Sequence, residues 1–294
     1  MYLCTYEYRG KGTIGILNND KLSIIPLENL INESINDMND FISRYDDKIV
    51  LINNRIKKYN GETILLKDVK ICSPIKHPKK DIICLGKNYE EHALEIKDYV
   101  KNKEELIPKY PIYFTKRADE TIGPEDKILR HEKVTDGIDY EVELAVIIGK
   151  DGINIDAENV EEYIFGYTIV NDISARDIQK KHEQWFRGKS LQTFCPMGPY
   201  IVTKDEIPYP VALNISSKVN DEIRQSSNTK NMIFDISHII SELSQGIKLE
   251  AGDIIITGTP SGVGIGFNPP KYLKSGDKID CTIEKIGTLT NYIQ

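Results

Sequence analysis

The sequence predicts a β-rich α+β fold with peripheral helices and a small N-terminal domain. Three observations carry this reading. Strand-like runs dominate from Asp81 onward, helical periodicity is confined to a few stretches, and the Pro- and Lys-rich joint Pro74-Ile75-Lys76-His77-Pro78-Lys79-Lys80 separates them from a weaker N-terminal piece. The expected division is a small domain over 1–73 and a larger one over 79–294.

The first unit shows short β-like pieces, Gly12 to Leu17 and Leu22 to Pro26, a polar Asn/Asp-rich middle from Asn32 to Asp47, and a return through Ile64 to Ile71. It holds no clustered chemistry. The second opens on Asp81-Ile82-Ile83-Cys84-Leu85-Gly86, a buried-strand pattern. Further strand signals fall at Tyr113-Phe114, Tyr140 to Ile148, Phe165 to Val170, Tyr200 to Val202, Val211 to Ile215, Asp253 to Thr257 and Lys278 to Glu284. Helical patterns cover Tyr89 to Lys101, Val160 to Tyr163 and Ile233 to Leu243. With no internal repeat, the larger unit reads as one β-rich domain.

A chain of 294 residues buries a sizeable core, and a formal net charge of -7 offers nothing to a nucleic-acid backbone. No stretch has the length and apolarity of a signal peptide or a bilayer span, which places the protein in the cytoplasm. Nucleic acid and membrane are not expected partners. Cys4, Cys72, Cys84, Cys195 and Cys281 are odd in number and never form a Cys-x-x-Cys pair, so neither a disulfide framework nor a zinc cage is expected.

The chemistry concentrates in Asp139-Tyr140-Glu141-Val142-Glu143-Leu144-Ala145-Val146-Ile147-Ile148-Gly149. Strand side chains alternate between faces, so Glu141 and Glu143 point one way while Val142 and Leu144 pack on the other. Two carboxylates on one patch repel unless a cation lies between them, and hard oxygen ligands suit Mg²⁺ or Mn²⁺. Asp172, at the end of the strand Gly166 to Val170, would complete a triad that leaves about three octahedral positions open. The plain alternative is that the two glutamates line the wet face of an edge strand.

Other candidates flank this patch. Asn88 is positioned as an N-cap with Glu91 as its capping-box partner, which puts His92 and Glu95 on one helical face. A carboxylate at that spacing orients an imidazole as a general base, although a surface pair has the same spacing. Lys97 to Lys109 is highly charged and ends near Pro108, as a mobile lid would. Arg176, Gln179 and Lys189 supply cations and an amide close to Asp172, suited to an anionic substrate or to solvent. Gly188-Lys189-Ser190 resembles the end of a P-loop, but the first glycine of that motif would fall at Glu183. The strand Ile254 to Ile256 opens into Thr257-Gly258-Thr259-Pro260-Ser261-Gly262-Val263-Gly264, where backbone N–H groups and the Thr259 hydroxyl can approach a carboxylate. This turn lacks the order of a dinucleotide fingerprint.

In order, Gly86-Lys87-Asn88-Tyr89 with His92 and Glu95, Tyr140-Glu141-Val142-Glu143-Leu144, Asn171-Asp172-Ile173-Ser174-Ala175-Arg176-Asp177, Gly188-Lys189-Ser190 through Phe194-Cys195-Pro196-Met197-Gly198-Pro199, and Thr257 to Val263 resemble the fumarylacetoacetate hydrolase family. The resemblance runs from about Asp81 to the end. It implies a mixed β-sandwich or β-roll core, a homodimer, and Mg²⁺ or Mn²⁺ held by Glu141, Glu143 and Asp172. It also implies catalytic roles for His92, Glu95 and Lys189, with Arg176, Gln179, Thr259 and Lys116 as substrate contacts. Gln192 departs from the family pattern, where Asp often follows Lys-Ser-Leu.

The implied activity is a divalent-metal-dependent hydrolase or lyase that cleaves a C–C bond of a small 2-oxo acid through an enolate. Acylpyruvate hydrolysis and oxaloacetate decarboxylation both fit. The same machinery serves keto-enol tautomerisation of oxaloacetate, and isomerisation or hydration of aromatic-degradation intermediates such as 2-hydroxyhepta-2,4-diene-1,7-dioate. A non-enzymatic metal-binding dimer is the remaining reading, and the retained base speaks against it.

Overall fold

The computed structural model describes residues 1–97, 106–182 and 184–294. No helix among them is long and apolar enough to cross a membrane. The chain opens with β1 (Tyr2–Tyr8), β2 (Lys11–Leu17) and β3 (Ser23–Pro26), continues through α1 (Met38–Tyr45) and α2 (Ile49–Lys57), and returns by β4 (Ile64–Leu65) and β5 (Lys70–Cys72). Next come β6 (Ile82–Gly86), α3 (Glu90–Glu95), β7 (Ile112–Lys116), β8 (Lys127–Ile128), β9 (Ile138–Asp139), β10 (Val142–Ile148), α4 (Val160–Tyr163) and β11 (Ile164–Asn171). The remainder is β12 (Ser174–Ala175), α5 (Arg176–His182), α6 (Phe186–Lys189), β13 (Met197–Thr203), β14 (Asn214–Val219), β15 (Glu222–Asn228), α7 (Ile236–Leu243), β16 (Ile254–Ile256), β17 (Lys278–Ile283) and β18 (Gly287–Ile293). This is the β-rich α+β architecture the sequence predicts.

Several elements depart from the pattern-based reading for identifiable reasons. The polar stretch Asn32 to Asp47 contains α1, whose Met38, Phe41, Ile42 and Tyr45 repeat at helical spacing and are all buried. Asp37 caps it, accepting from the Asp40 N–H at 2.9 Å. The stretch 233–243 becomes helical only from Ile236, because Asp235 takes the N-cap and accepts from the His238 N–H at 2.8 Å. The helix expected over 89–101 is α3 as far as Glu95. Residues 98–105, the centre of the expected charged lid, lie outside the described residues. The run from Tyr140 to Ile148 is interrupted, since Asp139 pairs with Ser174 of β12 whereas β10 starts at Val142, which pairs with Asn171 of β11.

Eleven strands form one sheet in the order β4-β3-β2-β1-β13-β11-β10-β16-β6-β7, with β5 pairing β1 beside β13. A second sheet runs β15-β14-β17-β18-β8. The alternation of β10 sorts its side chains between two cores. Val142, Leu144 and Val146 join Ile215, Val219, Ile279 and Leu289 of the second sheet, whereas Ala145 and Ile147 face Phe41, Ile42 and Ile52 of the N-terminal helices. Strands buried on both faces explain the near-continuous apolar runs of β10 and β11. Cys4, Cys84, Cys195 and Cys281 are free thiols that serve as small buried apolar groups.

Segment 1–73 shares this sheet and core with the rest of the chain. Leu3 pairs with Ile201 of β13 and lies in one cluster with Phe41, Ala145 and Ile147. Leu3→Ala therefore destabilises the whole chain, by about 2–5 kcal/mol for a buried Leu truncation, and shifts one cooperative urea transition monitored by circular dichroism. A separate N-terminal transition would contradict this continuity.

Candidate active site

The site sits where β10 begins and β11 ends. The Asp172 N–H donates to the Glu141 carbonyl at 2.8 Å, and the Glu141 N–H donates to Asn171 Oδ1 at 3.0 Å, so the two chain crossings hold their carboxylates side by side. Glu143 shares a face with Ala145 and Ile147, as period-two alternation requires. Ligand oxygens of Glu141, Glu143 and Asp172 lie within 4.8 Å of one another. The wet-edge alternative fails on burial: the three acids are 5%, 1% and 0% exposed, and β10 is paired on both sides, by β11 and β16.

Three cations answer these acids. Lys189 Nζ, carried by α6, bridges Glu141 at 2.6 Å and Asp172 at 2.5 Å. Arg176, at the start of α5, reaches Glu141 with Nη2 at 2.6 Å and Asp139 with Nε at 2.8 Å. Lys116 Nζ lies 2.8 Å from Asp172. Burial opposes ionisation of Glu141, but Lys189 and Arg176 outweigh it and hold its carboxyl well below the usual carboxylate range. Burial likewise opposes the charge on Lys189, yet Asp172 and Glu141 raise its pKa above the ordinary lysine value.

Glu143 is the exception. It accepts from the Gly258 N–H at 2.7 Å, and burial together with the neighbouring Asp172 and Glu141 charges pushes its pKa well up. Among the described residues, four buried carboxylates, Asp139, Glu141, Glu143 and Asp172, thus meet three cationic side chains. An all-oxygen donor set with unbalanced negative charge fits a hard divalent cation.

The glycine turn after β16 is an anion cradle. The Gly258 N–H serves Glu143, the Gly262 N–H donates to Glu95 at 2.9 Å, and the Gly264 and Ile265 N–H groups donate to Asp139 at 2.6 and 2.9 Å. Gly262 has φ +104°, and a Cβ there would collide with the Arg224 carbonyl. Glu95 holds His92 Nδ1 at 2.8 Å with its other oxygen, so the expected dyad is assembled and anchored to the same turn.

Asn88 is not the N-cap. Tyr89 occupies that position without a side-chain cap, because the Asn88 side chain is drawn away to the Phe234 and Thr257 carbonyls and the Phe234 N–H. The Glu91 carboxylate accepts from Ser261 Oγ at 3.1 Å instead of closing a capping box.

A cleft of about 550 Å³ opens over these groups, lined by Glu141, Glu143, His92, Lys189, Arg176, Gln179 and Thr259 among others. Phe114, Trp185, Leu85 and Ile265 supply apolar wall, with the indole edge-on to Phe114 at 5.1 Å. Lys116, expected as a substrate contact, is fully buried and does not line the cleft; its ammonium is committed to Asp172 and to the Ile173 and Phe194 carbonyls at 3.0 and 2.5 Å. It positions Asp172. Gln179 accepts from Arg176 Nη1 at 3.1 Å. Thr259 Oγ1 donates to the Val142 carbonyl at 2.9 Å and accepts from Gln225 at 2.7 Å.

Two residues escaped sequence reasoning. Asp139 binds Arg176 and the cradle, and its spacing from Glu141 continues the same alternation that exposed Glu141 and Glu143. Gln225, fully buried on β15, ties the Val142 N–H and Ser217 to Thr259 and the Pro260 carbonyl. Nothing local in the sequence marks it.

A strand-built cleft with a buried carboxylate triad and a His-Glu dyad is a candidate active site whose acids could hold a metal ion, and comparison with known proteins identifies its class. Residues 81–294 match the family model described as fumarylacetoacetate (FAA) hydrolase C-terminal. The chain is 54% identical over 228 residues to oxaloacetate tautomerase YisK of Bacillus subtilis, covering 78% of this chain and 74% of that one. Among solved structures, fumarylacetoacetate hydrolase from psychrophilic Exiguobacterium antarcticum is 38% identical with a TM-score of 0.83, covering 100% and 99% of the two chains. Maleylpyruvate hydrolase from Sphingobium sp. SYK-6, in complex with manganese(II) and pyruvate, is 26% identical with a TM-score of 0.78, covering 100% and 98%. The chain belongs to the fumarylacetoacetate hydrolase family and is an enzyme of that family.

The Glu143 environment gives a pH test in metal-stripped protein. A carboxyl whose folded pKa is raised stabilises below its unfolded value, about 4.3, and loses that contribution as pH rises. In EDTA, the melting temperature of Glu143→Gln should therefore gain on wild type with rising pH. Adding Mn²⁺ should raise the melting temperature of wild type and not of the variant, as differential scanning fluorimetry would record.

Proposed function

We propose that the protein is a divalent-metal-dependent enzyme acting on a small 2-oxo acid, with keto-enol tautomerisation of oxaloacetate as its reaction. The observation that carries this reading is the cleft in which Glu141, Glu143, Arg176, Lys189 and His92 converge, with Asp172 and Glu95 directly behind them. The 54% identity to a Bacillus subtilis protein named an oxaloacetate tautomerase supports the choice of reaction.

Glu141, Glu143 and Asp172 are the residues that would hold Mg²⁺ or Mn²⁺. The chemistry supplied by a bound cation is Lewis-acid polarisation of the 2-oxo group. The chain's own groups do the rest. With Nδ1–H donated to Glu95, His92 presents Nε2 as its basic nitrogen. Nε2 takes a proton from C3 of oxaloacetate, the C–H electron pair becomes the C2–C3 double bond, and the proton is returned to the C2 oxygen. Arg176 and Gln179 orient the 2-oxo carboxylate, and the Lys189 ammonium steadies negative charge as it develops on the oxygen. The apolar wall of Phe114 and Trp185 excludes bulk water from the carbanion side.

A second reading is favoured by the same dyad. A His held by Glu95 can instead deprotonate a water, and attack on the distal carbonyl of an acylpyruvate would then break the C–C bond. The similarity to a maleylpyruvate hydrolase supports it.

Purified protein with Mg²⁺ or Mn²⁺, with and without EDTA, should be followed for oxaloacetate enol absorbance, oxaloacetate loss and acetylpyruvate loss in parallel. Metal-dependent enol equilibration without loss of either compound is the expected result; dominant acetylpyruvate loss would select the hydrolase. His92→Ala should lower kcat by about 100- to 10,000-fold while Mn²⁺ affinity by calorimetry stays unchanged. Glu141→Ala should lose both. Normal turnover by His92→Ala would sink the assigned proton transfer.

A further inference from the structure

Two of the cations that line the cleft already face carboxylates of the chain. Arg176 and Lys189 are bound to the acids of the site, and Lys116 is sealed behind Asp172. Lys87 differs. It lines the same cleft as Glu141, Glu143, His92 and Trp185, is half-buried, and has no carboxylate or hydrogen-bond partner among the described residues. Partial burial holds its pKa below the ordinary lysine value, the cost of desolvating a cation without a counter-charge.

The backbone is equally unusual at this position. Lys87 has φ +56°, a left-handed conformation that disfavours any side chain and that glycine adopts freely. The turn is pinned there by Asn88, whose amide donates to the Thr257 carbonyl at 2.8 Å and the Phe234 carbonyl at 3.0 Å and whose oxygen accepts from the Phe234 N–H at 2.8 Å. Gly86 on its other side has the Trp185 indole pressed against it so closely that a Cβ would collide with the ring. A long cation therefore stands at the cleft against both conformational and electrostatic preference, on the segment that leads into His92.

We propose that Lys87 determines specificity by binding the far carboxylate of a dicarboxylic 2-oxo acid whose 2-oxo end lies at the Glu141, Glu143 and Asp172 cluster. This rests on the 2-oxo acid reading above. The second carboxylate of the substrate supplies the counter-charge that Lys87 lacks, so a dicarboxylate is selected over a 2-oxo acid with an uncharged distal end.

The test compares Lys87→Gln and Lys87→Gly with wild type, in Mn²⁺, for the keto-enol equilibration of oxaloacetate and of acetylpyruvate, whose distal group is an uncharged acetyl. Loss of one charge-assisted contact should lower kcat/KM for oxaloacetate by about 10- to 100-fold, chiefly through KM, and leave acetylpyruvate unchanged. Lys87→Gly relieves the left-handed strain, so an unchanged or higher melting temperature separates loss of specificity from loss of fold. An equal loss on both substrates, or no loss on either, overturns the proposal. Trp185, the chain's single tryptophan, gives a second readout by fluorescence. If wild type turns over neither substrate, the functional reading fails, and binding of non-enolisable 3,3-difluoro-oxaloacetate against oxalate still decides. Selective weakening of the difluoro ligand in Lys87→Gln supports the assignment; equal weakening, no change, or binding of neither ligand by wild type overturns it.

Discussion

Four carboxylates buried in one pocket can coexist only if each is met by positive charge or by hydrogen-bond donors, and this requirement organises the surrounding structure. Asp139, Glu141, Glu143 and Asp172 would otherwise carry a desolvation cost no small domain could absorb. The turn after β16 exists in its particular shape because its N–H groups must converge on Glu143, Glu95 and Asp139. Its glycines follow from that shape. Gln225 then secures the turn to the N-terminal end of β10 by using both donor and acceptor of one buried amide.

Compensation is unequal, and the inequality has chemical content. Glu141 and Asp172 are met by ammonium and guanidinium groups, whereas Glu143 has a single backbone donor and a strongly raised pKa. A divalent cation held by the three acids would relieve the repulsion among them. The same charges make the cleft receptive to anions around its sides and to a cation at its base. A bidentate 2-oxo acid with a hard divalent cation matches that distribution.

The scaffold keeps this arrangement rigid. β10 and β11 are interior strands with apolar cores on both faces, one contributed by the five-stranded sheet and the other by α1 and α2. Sites carried on such strands are held by packing on each side. The dyad, by contrast, rides on the short α3 and is fixed through Glu95 to the cradle and through Asn88 to the turn preceding it.

Much of the candidate site was legible in the sequence, because alternation along one strand put Glu141 and Glu143 together and helical spacing put His92 beside Glu95. Asp139, two residues before Glu141, carries the same alternation. The N-terminal helix α1 was hidden by its polar composition, although its apolar residues keep a helical period. Other features had no local signal at all. The withdrawal of Asn88 from its expected cap, the burial of Lys116 behind Asp172, the bridging amide of Gln225 and the isolation of Lys87 each depend on partners distant in sequence. By itself the sequence determined the β-rich α+β class from its short-range periods and the family from the resemblance of its ordered motifs, and it pointed to Glu141, Glu143, Asp172 and His92 as candidates. Only the tertiary structure decided which charges are paired and which are left free, because a charge is compensated by what folding brings within about 3 Å of it, and spacing along the chain does not specify that.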